Sequence, residues 1–333
     1  MSRNGPNRYS YLEQLRLSRG THALRQVFHE LAVQDREKAV GHLNNEHLGF
    51  PTLFLLMPEI EALDLFGDLS RRNNTALRLC AGKSDRFELC ARLDQLLPRD
   101  DHAACRALRW VFDTGLHWDG PHALYDSFDA VMDAAAALLI KTYRDTSILP
   151  AVCELIFLRN RKGVLIHDLV WSLFQACDRD ALDLIARRLL SSHPKDVLLA
   201  CTLLHLPVPA GGGARQKLYR RYRLWLSRNR PYLRFTGEFF QQTSQPNPVG
   251  VDLEAKYLAK PVSPRDGKPL APLTGEESES LTLFRSASER DRETLATCSA
   301  ALHARDLRAW RRWLGKPLPE QVDAARTEVQ AAQ

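Results

Sequence analysis

The sequence predicts an all-α protein of antiparallel helical hairpins, with a Pro-rich extended arm toward its C-terminal end. Three observations lead there. Apolar residues recur every three or four positions nearly throughout up to Leu206, short polar breaks divide these stretches, and no run alternates apolar and polar residues long enough for a sheet. Stretches of 12 to 20 residues joined by such short turns must lie antiparallel to their neighbours.

Leu24, Val27, Phe28 and Leu31 form a first stripe. Leu89, Leu93, Leu96 and Leu97 form another, which Ser84 could cap and Pro98 closes. Leu108, Val111 and Phe112 follow, then Leu124, Phe128, Val131, Leu138 and Leu139. The series continues through Leu149–Leu158, Leu165–Phe174, Leu182–Leu190 and Val197–Leu206, with breaks at Gly115–Pro121, Asp145–Thr146, Arg161–Gly163, Cys177–Asp180 and Ser191–Pro194. Leu89-Cys90-Ala91-Arg92 with Pro98, Ala104-Cys105 and Leu108 is echoed 95 to 96 residues later by Leu184-Ile185-Ala186-Arg187 with Pro194, Ala200-Cys201 and Leu204. That offset would suit a HEAT-like solenoid, in which no hairpin buries its apolar face alone; an irregular helical bundle fits the stripes equally.

Residues 1–206 therefore read as a helical body, and Pro207–Gly213 as a linker. Residues 214–243 hold a basic amphipathic helix and the segment after it. Residues 244–273 carry six prolines, at 246, 248, 261, 264, 269 and 272, so helix cannot continue there. Val249, Val251, Leu253, Tyr257, Leu258, Val262, Leu270 and Leu273 are scattered among them, which suits an extended arm laid on a surface, its own or a neighbour's. Residues 274–333 return to helix: one from the cap candidate Thr274 to about Ala304, a short one over Leu307–Leu314, and a weakly apolar, frayed tail from Pro319.

The chain has 333 residues, 44% hydrophobic and 26% charged, a globular composition able to bury a sizeable core. No apolar run approaches the ~20 residues that span a bilayer, and Met1–Tyr11 lacks the apolar segment of a secretion signal. No transmembrane segment and a cytoplasmic location are expected. Seven cysteines without a CxxC pair read as reduced, buried thiols. The net charge of +6 has a local origin. Val197–Gly237 contains no Asp or Glu and eight cations, Arg215, Lys217, Arg220, Arg221, Arg223, Arg228, Arg230 and Arg234. Taking those eight from 46 leaves 38 basic residues against 40 acidic ones, a net of −2.

That segment holds the strongest candidate site. On a wheel, Leu218, Tyr219, Tyr222, Trp225 and Leu226 cover an arc of roughly 120° and Lys217, Arg220, Arg221, Arg223 and Arg228 fill the opposite side, a pattern for an anion-binding helix docked by its aromatics. The same pattern describes a surface helix whose basic face is merely solvated or paired to acidic patches elsewhere. Trp310, Arg311, Arg312 and Trp313 repeat the theme; tryptophan beside arginine is the composition of interface hot spots, and equally of a terminal helix packing two indoles inward. His117-Trp118-Asp119-Gly120-Pro121-His122 reads better as a helix start, capped by Asp119 or Gly120, than as a metal shell. No catalytic residue, metal or cofactor is indicated: the Gly211–Gly213 run lacks the Lys-Ser/Thr of a phosphate loop, and neither GxSxG nor HExxH occurs.

The reading is a non-enzymatic interaction or scaffold protein that binds a protein partner or assembles with itself through the basic helix and the arm. Its alternatives are a nucleic-acid-associated factor using residues 215–234, and an enzyme whose site is assembled from dispersed residues. Membrane-surface contact is not expected. If the arm is docked, Tyr257→Ala with Leu258→Ala weakens stability or assembly, since each buried side chain of this kind contributes about 1.5–3 kcal/mol. Limited proteolysis then cuts near Gly211–Gly213 before Tyr257; mass spectrometry of the first fragments showing cleavage inside Val249–Leu258 would mean a free arm.

Overall fold

The computed structural model describes residues 9–81, 101–238, 243 and 246–331. The stripe from Leu89 to Leu97, its cap and stop, and with them the first half of the internal echo lie outside these residues. The described chain is all-α apart from two three-residue strands. It divides into two compact units: the residues up to Ile156 with Asp168–Ser172, and Phe157–His167 with Leu173 onward.

In the first unit α1 (Tyr11–Gln34) starts on Ser10, whose side chain accepts from Glu13 N. It is broken at Gly20, where φ of 79° suits a residue without Cβ. α2 (Arg36–Leu43), α3 (Phe50–Leu55) and α4 (Met57–Ala62) follow, then α5 (Arg71–Ala81), α6 (His102–Gly115) and α7 (Tyr125–Lys141). α1 packs on α2 and α3, and α6 on α5 and α7. The expected stripes point inward: Leu24, Phe28, Leu108, Val111, Phe112 and Phe128 are buried. A buried charge sits among them. Glu13 accepts from Arg16 at 2.7 Å, from Gly49 N at 3.1 Å and from Thr52 Oγ1 at 2.5 Å. Arg16 also donates to Asp119. This corrects the expected cap: Asp119 is an ion-pair partner, while the 3-10 turn His122–Leu124 begins without a side-chain cap. Trp118 stacks on Phe128 with ring centroids 4.0 Å apart, and His117 and His122 are exposed.

The unit division cuts through α8 (Leu149–Lys162) and α9 (His167–Gln175). The second unit continues with α10 (Asp180–Arg187), α11 (Pro194–Leu203) and α12 (Gly212–Asn229). Next come β1 (Leu233–Phe235), β2 (Val249–Val251) and α13 (Leu253–Tyr257). The strands form an antiparallel ribbon with Arg234 opposite Gly250. Neither the ribbon nor α13 follows from the sequence, where three-residue strands give too short an alternation and the prolines argue against helix. α13 fits into the proline-free interval between 248 and 261, capped by Asp252.

The Pro-rich segment lies on its own chain. Tyr257, Leu258 and Val262 are buried, Val251 and Leu253 half-buried, and Leu270 and Leu273 exposed. Arg179 ties it to β1, donating to Val262 O of the segment at 2.7 Å and to Leu233 O at 2.8 Å and Pro231 O at 3.4 Å beside it.

Thr274 caps α14 (Gly275–Ser286) in a reciprocal pair with Glu277. The single helix expected to Ala304 is two. It stops at Ala287, and Ser288 caps α15 (Glu289–Arg305), its side chain accepting from Asp291 N. α16 (Leu307–Leu314) and α17 (Leu318–Ala331) complete the unit. α17 is not a frayed appendage along the residues described: Gln321 and Ala325 are fully buried, and Gln321 Oε1 accepts from Tyr257 OH at 2.8 Å. Among the described residues, no helix is long and apolar enough to cross a membrane.

Arg179→Met keeps the aliphatic stem and removes the donors of these carbonyls. It is expected to cost about 1–3 kcal/mol in urea unfolding, the penalty for leaving buried acceptors unpaired. An unchanged midpoint would show that water reaches those carbonyls.

Candidate binding surface

α12 owes its length to a run of 18 residues without proline, beginning on Gly212 in the Gly211–Gly213 run. Tyr222, Leu226 and Asn229 are buried and Leu218 and Tyr219 half-buried, so the docking face lies where the apolar arc predicts. Trp225, at the arc's edge, departs from it. It is 40% exposed, its ring stacked on Tyr222 at 5.5 Å.

The basic residues divide into two groups. Arg223 Nη1 donates to Asp183 Oδ1 at 2.6 Å, and Arg230 Nη1 to Asp183 Oδ2 at 3.2 Å. Arg230 also pairs with Asp180. Arg215 Nη1 donates to Ser191 O at 3.1 Å. Arg223 and Arg230 flank the docking face and the half-buried Arg215 lies within it; together they tie α12 to α10 and to the turn before α11. The Asp180 hydrogen bond raises the Arg230 guanidinium above its usual value. Burial, with the Asp183 charge adding to it, pushes the Tyr222 phenol up.

Lys217, Arg220, Arg221 and Arg228 are exposed and make no ion pair among the described residues. At 100° per residue, Lys217, Arg221, Leu224 and Arg228 fall within an arc of roughly 60°, a single outward stripe. Leu224, 51% exposed, sits inside it, with Trp225 on one flank and Arg220 on the other. The wheel already contained Leu224, three residues after Arg221 and four before Arg228. Attention to the apolar arc alone passes over it. Arg234 stands exposed on β1, its stem against Gly267. A Cβ on Gly267 would meet Arg234 Cδ at 2.9 Å, and its φ of 68° suits the same absence.

The second candidate group resolves differently. Trp310 and Trp313 are 9% and 6% exposed and belong to a core with Tyr257, Phe284 and Leu295. Trp310 Nε1 donates to Ser299 Oγ at 2.7 Å, and Ser299 Oγ in turn to Tyr257 O. The indoles are therefore not available to a partner, which corrects their place among the binding residues. Arg311 and Arg312 remain exposed without an ion pair among the described residues. No group of three His, Cys, Asp or Glu side chains among the described residues could hold a metal ion.

Compared with protein-family models, with characterised proteins and with solved structures, the chain matches none of them.

The division among cations makes a stability prediction. Lys217→Glu, Arg220→Glu and Arg221→Glu together should shift unfolding by no more than about 0.5 kcal/mol per site, as unpaired surface positions do. Arg223→Glu alone should cost more, because it sets a carboxylate against Asp183. Equal thermal midpoints for the two variants would refute the pairing.

Proposed function

We propose that this is a non-enzymatic interaction protein whose outward face of α12 binds an acidic protein partner. One observation supports it above the others: three cations, Lys217, Arg221 and Arg228, share a stripe with an exposed leucine and an exposed tryptophan beside it. An apolar centre with a charged rim is the build of a protein interface. A surface meant only for phosphate backbone gains nothing from Leu224, and a merely solvated face has no use for two large apolar side chains on a helix already docked by its other side. The helical body would serve as the platform that presents the stripe. The Pro-rich arm would then act within the chain, since Tyr257 and Leu258 are covered, and self-assembly through it becomes the weaker reading.

The nucleic-acid reading shares the cations and differs in the apolar centre, so the test separates the two. Binding of an acidic amphipathic helical peptide and of duplex DNA and RNA is measured across a salt series. Lys217→Glu, Arg220→Glu and Arg221→Glu together should lower peptide affinity by about a hundredfold at low salt, less as salt rises. Leu224→Ala should cost the peptide roughly fivefold or more and leave duplexes unaffected. Tight duplex binding indifferent to Leu224 would establish the nucleic-acid reading instead. Unaltered peptide affinity in the triple variant would end the proposal.

A further inference from the structure

The outward stripe of α12 has a spacing as well as a composition. Lys217, Arg221, Leu224 and Arg228 stand four, three and four residues apart, the repeat that keeps side chains on one seam between two packed helices. The docked face keeps the same rhythm on the opposite side. There Arg215 and Tyr219 are half-buried and Tyr222, Leu226 and Asn229 buried, at steps of four, three, four and three. α12 is thus an unbroken helix with two seams, one filled by its own unit and one open to water. Arg220 and Trp225, both exposed, stand on either side of the open seam, where paired helices make their flanking contacts. From Lys217 to Arg228 the seam runs about 16 Å along the axis, three turns of helix.

Charge narrows what can lie on it. Cations hold three of the four seam positions, and none of them is ion-paired among the described residues. A second copy laid parallel would set cation against cation along the seam. Laid antiparallel, it would also place Arg221 against Leu224. Either arrangement is repelled, so the seam selects a different chain. An extended acidic chain has no repeat to match the spacing and sets no side chain regularly over Leu224. We propose, resting on the acidic-partner reading, that the partner's binding segment is a single α-helix that lies along α12 as in a coiled coil. Its carboxylates repeat at the same four-three spacing and meet Lys217, Arg221 and Arg228, and one apolar side chain among them seats on Leu224.

Two peptides of equal length and composition, both helical by circular dichroism, test this when titrated into the full-length protein by fluorescence anisotropy. In the first, glutamates stand at four-three spacing on both sides of a central leucine, so it matches the seam whichever way it runs. In the second, the same residues are spread around the helix. The first should bind at least about tenfold tighter. Leu224→Ala should weaken the first roughly fivefold and leave the second unchanged. Equal affinities for the two peptides would overturn the helical seam while leaving the acidic-partner reading standing, and so would an equal loss of both in Leu224→Ala. Binding of neither would end both. A wild type that sediments as a dimer and becomes monomeric in Leu224→Ala would put a second copy on the seam and overturn the proposal.

Discussion

A proline-rich segment has more backbone acceptors than donors, and the second unit is organised around supplying the difference. Each proline keeps its carbonyl and loses its N–H. Some of the surplus is met by backbone amides: Phe235 N donates to Pro264 O, Thr236 N to Pro248 O and Leu270 N to Pro261 O. The rest goes to side chains. Arg179 serves Val262 O, along with Pro231 O and Leu233 O outside the segment, Lys260 Nζ donates to Pro272 O at 2.7 Å, and His205 Nε2 lies 2.6 Å from Pro246 O. With its carbonyls held from outside, the segment can lie flat and bury Tyr257, Leu258 and Val262. A free arm would leave them in water.

The same economy of charge shapes α12. Asp183 can satisfy two guanidinium groups, and it takes Arg223 and Arg230, the pair that the helical rotation brings to its side. Fixing those two fixes the roll of the helix, and the roll decides which cations face outward. The net positive charge of the segment therefore overstates what is on offer to a partner. What remains is Lys217, Arg220, Arg221 and Arg228, with Leu224 and Trp225 among them.

Features set by near neighbours were legible in the sequence. The stripes of Leu24 and Phe28 and of Leu108, Val111 and Phe112 are buried, Thr274 caps its helix, and the short helix Leu307–Leu314 has the expected bounds. What was not legible depends on pairs far apart in the chain. Asp119 reads as a cap until Arg16 arrives from 103 residues away, and α17 reads as a weak tail until Tyr257 reaches Gln321 from 64 away. The break at Ala287–Ser288 is a middle case. Ser288 followed by Glu289 and Asp291 is a readable start signal, hidden because apolar spacing continues across it. Of the candidate surface, the helix, its buried face and the outward position of Leu224 were readable; which cations are paired was not, because that depends on where Asp183 stands.

The two basic-aromatic segments look alike in sequence, yet they carry unequal weight. In α16 the indoles of Trp310 and Trp313, three residues apart, fill a core in which Ser299 bridges Trp310 to Tyr257 and the Tyr257 ring stacks on Phe284 at 4.4 Å. Once both aromatics turn inward on an eight-residue helix, its arginines have nowhere to go but out, so their exposure follows from packing and implies no partner. In α12 the docking face is filled by Tyr222 and Leu226, and the same rotation turns Leu224 outward, with Trp225 at the edge of the docked arc. Large apolar side chains among unpaired cations are what the proposed partner surface would use.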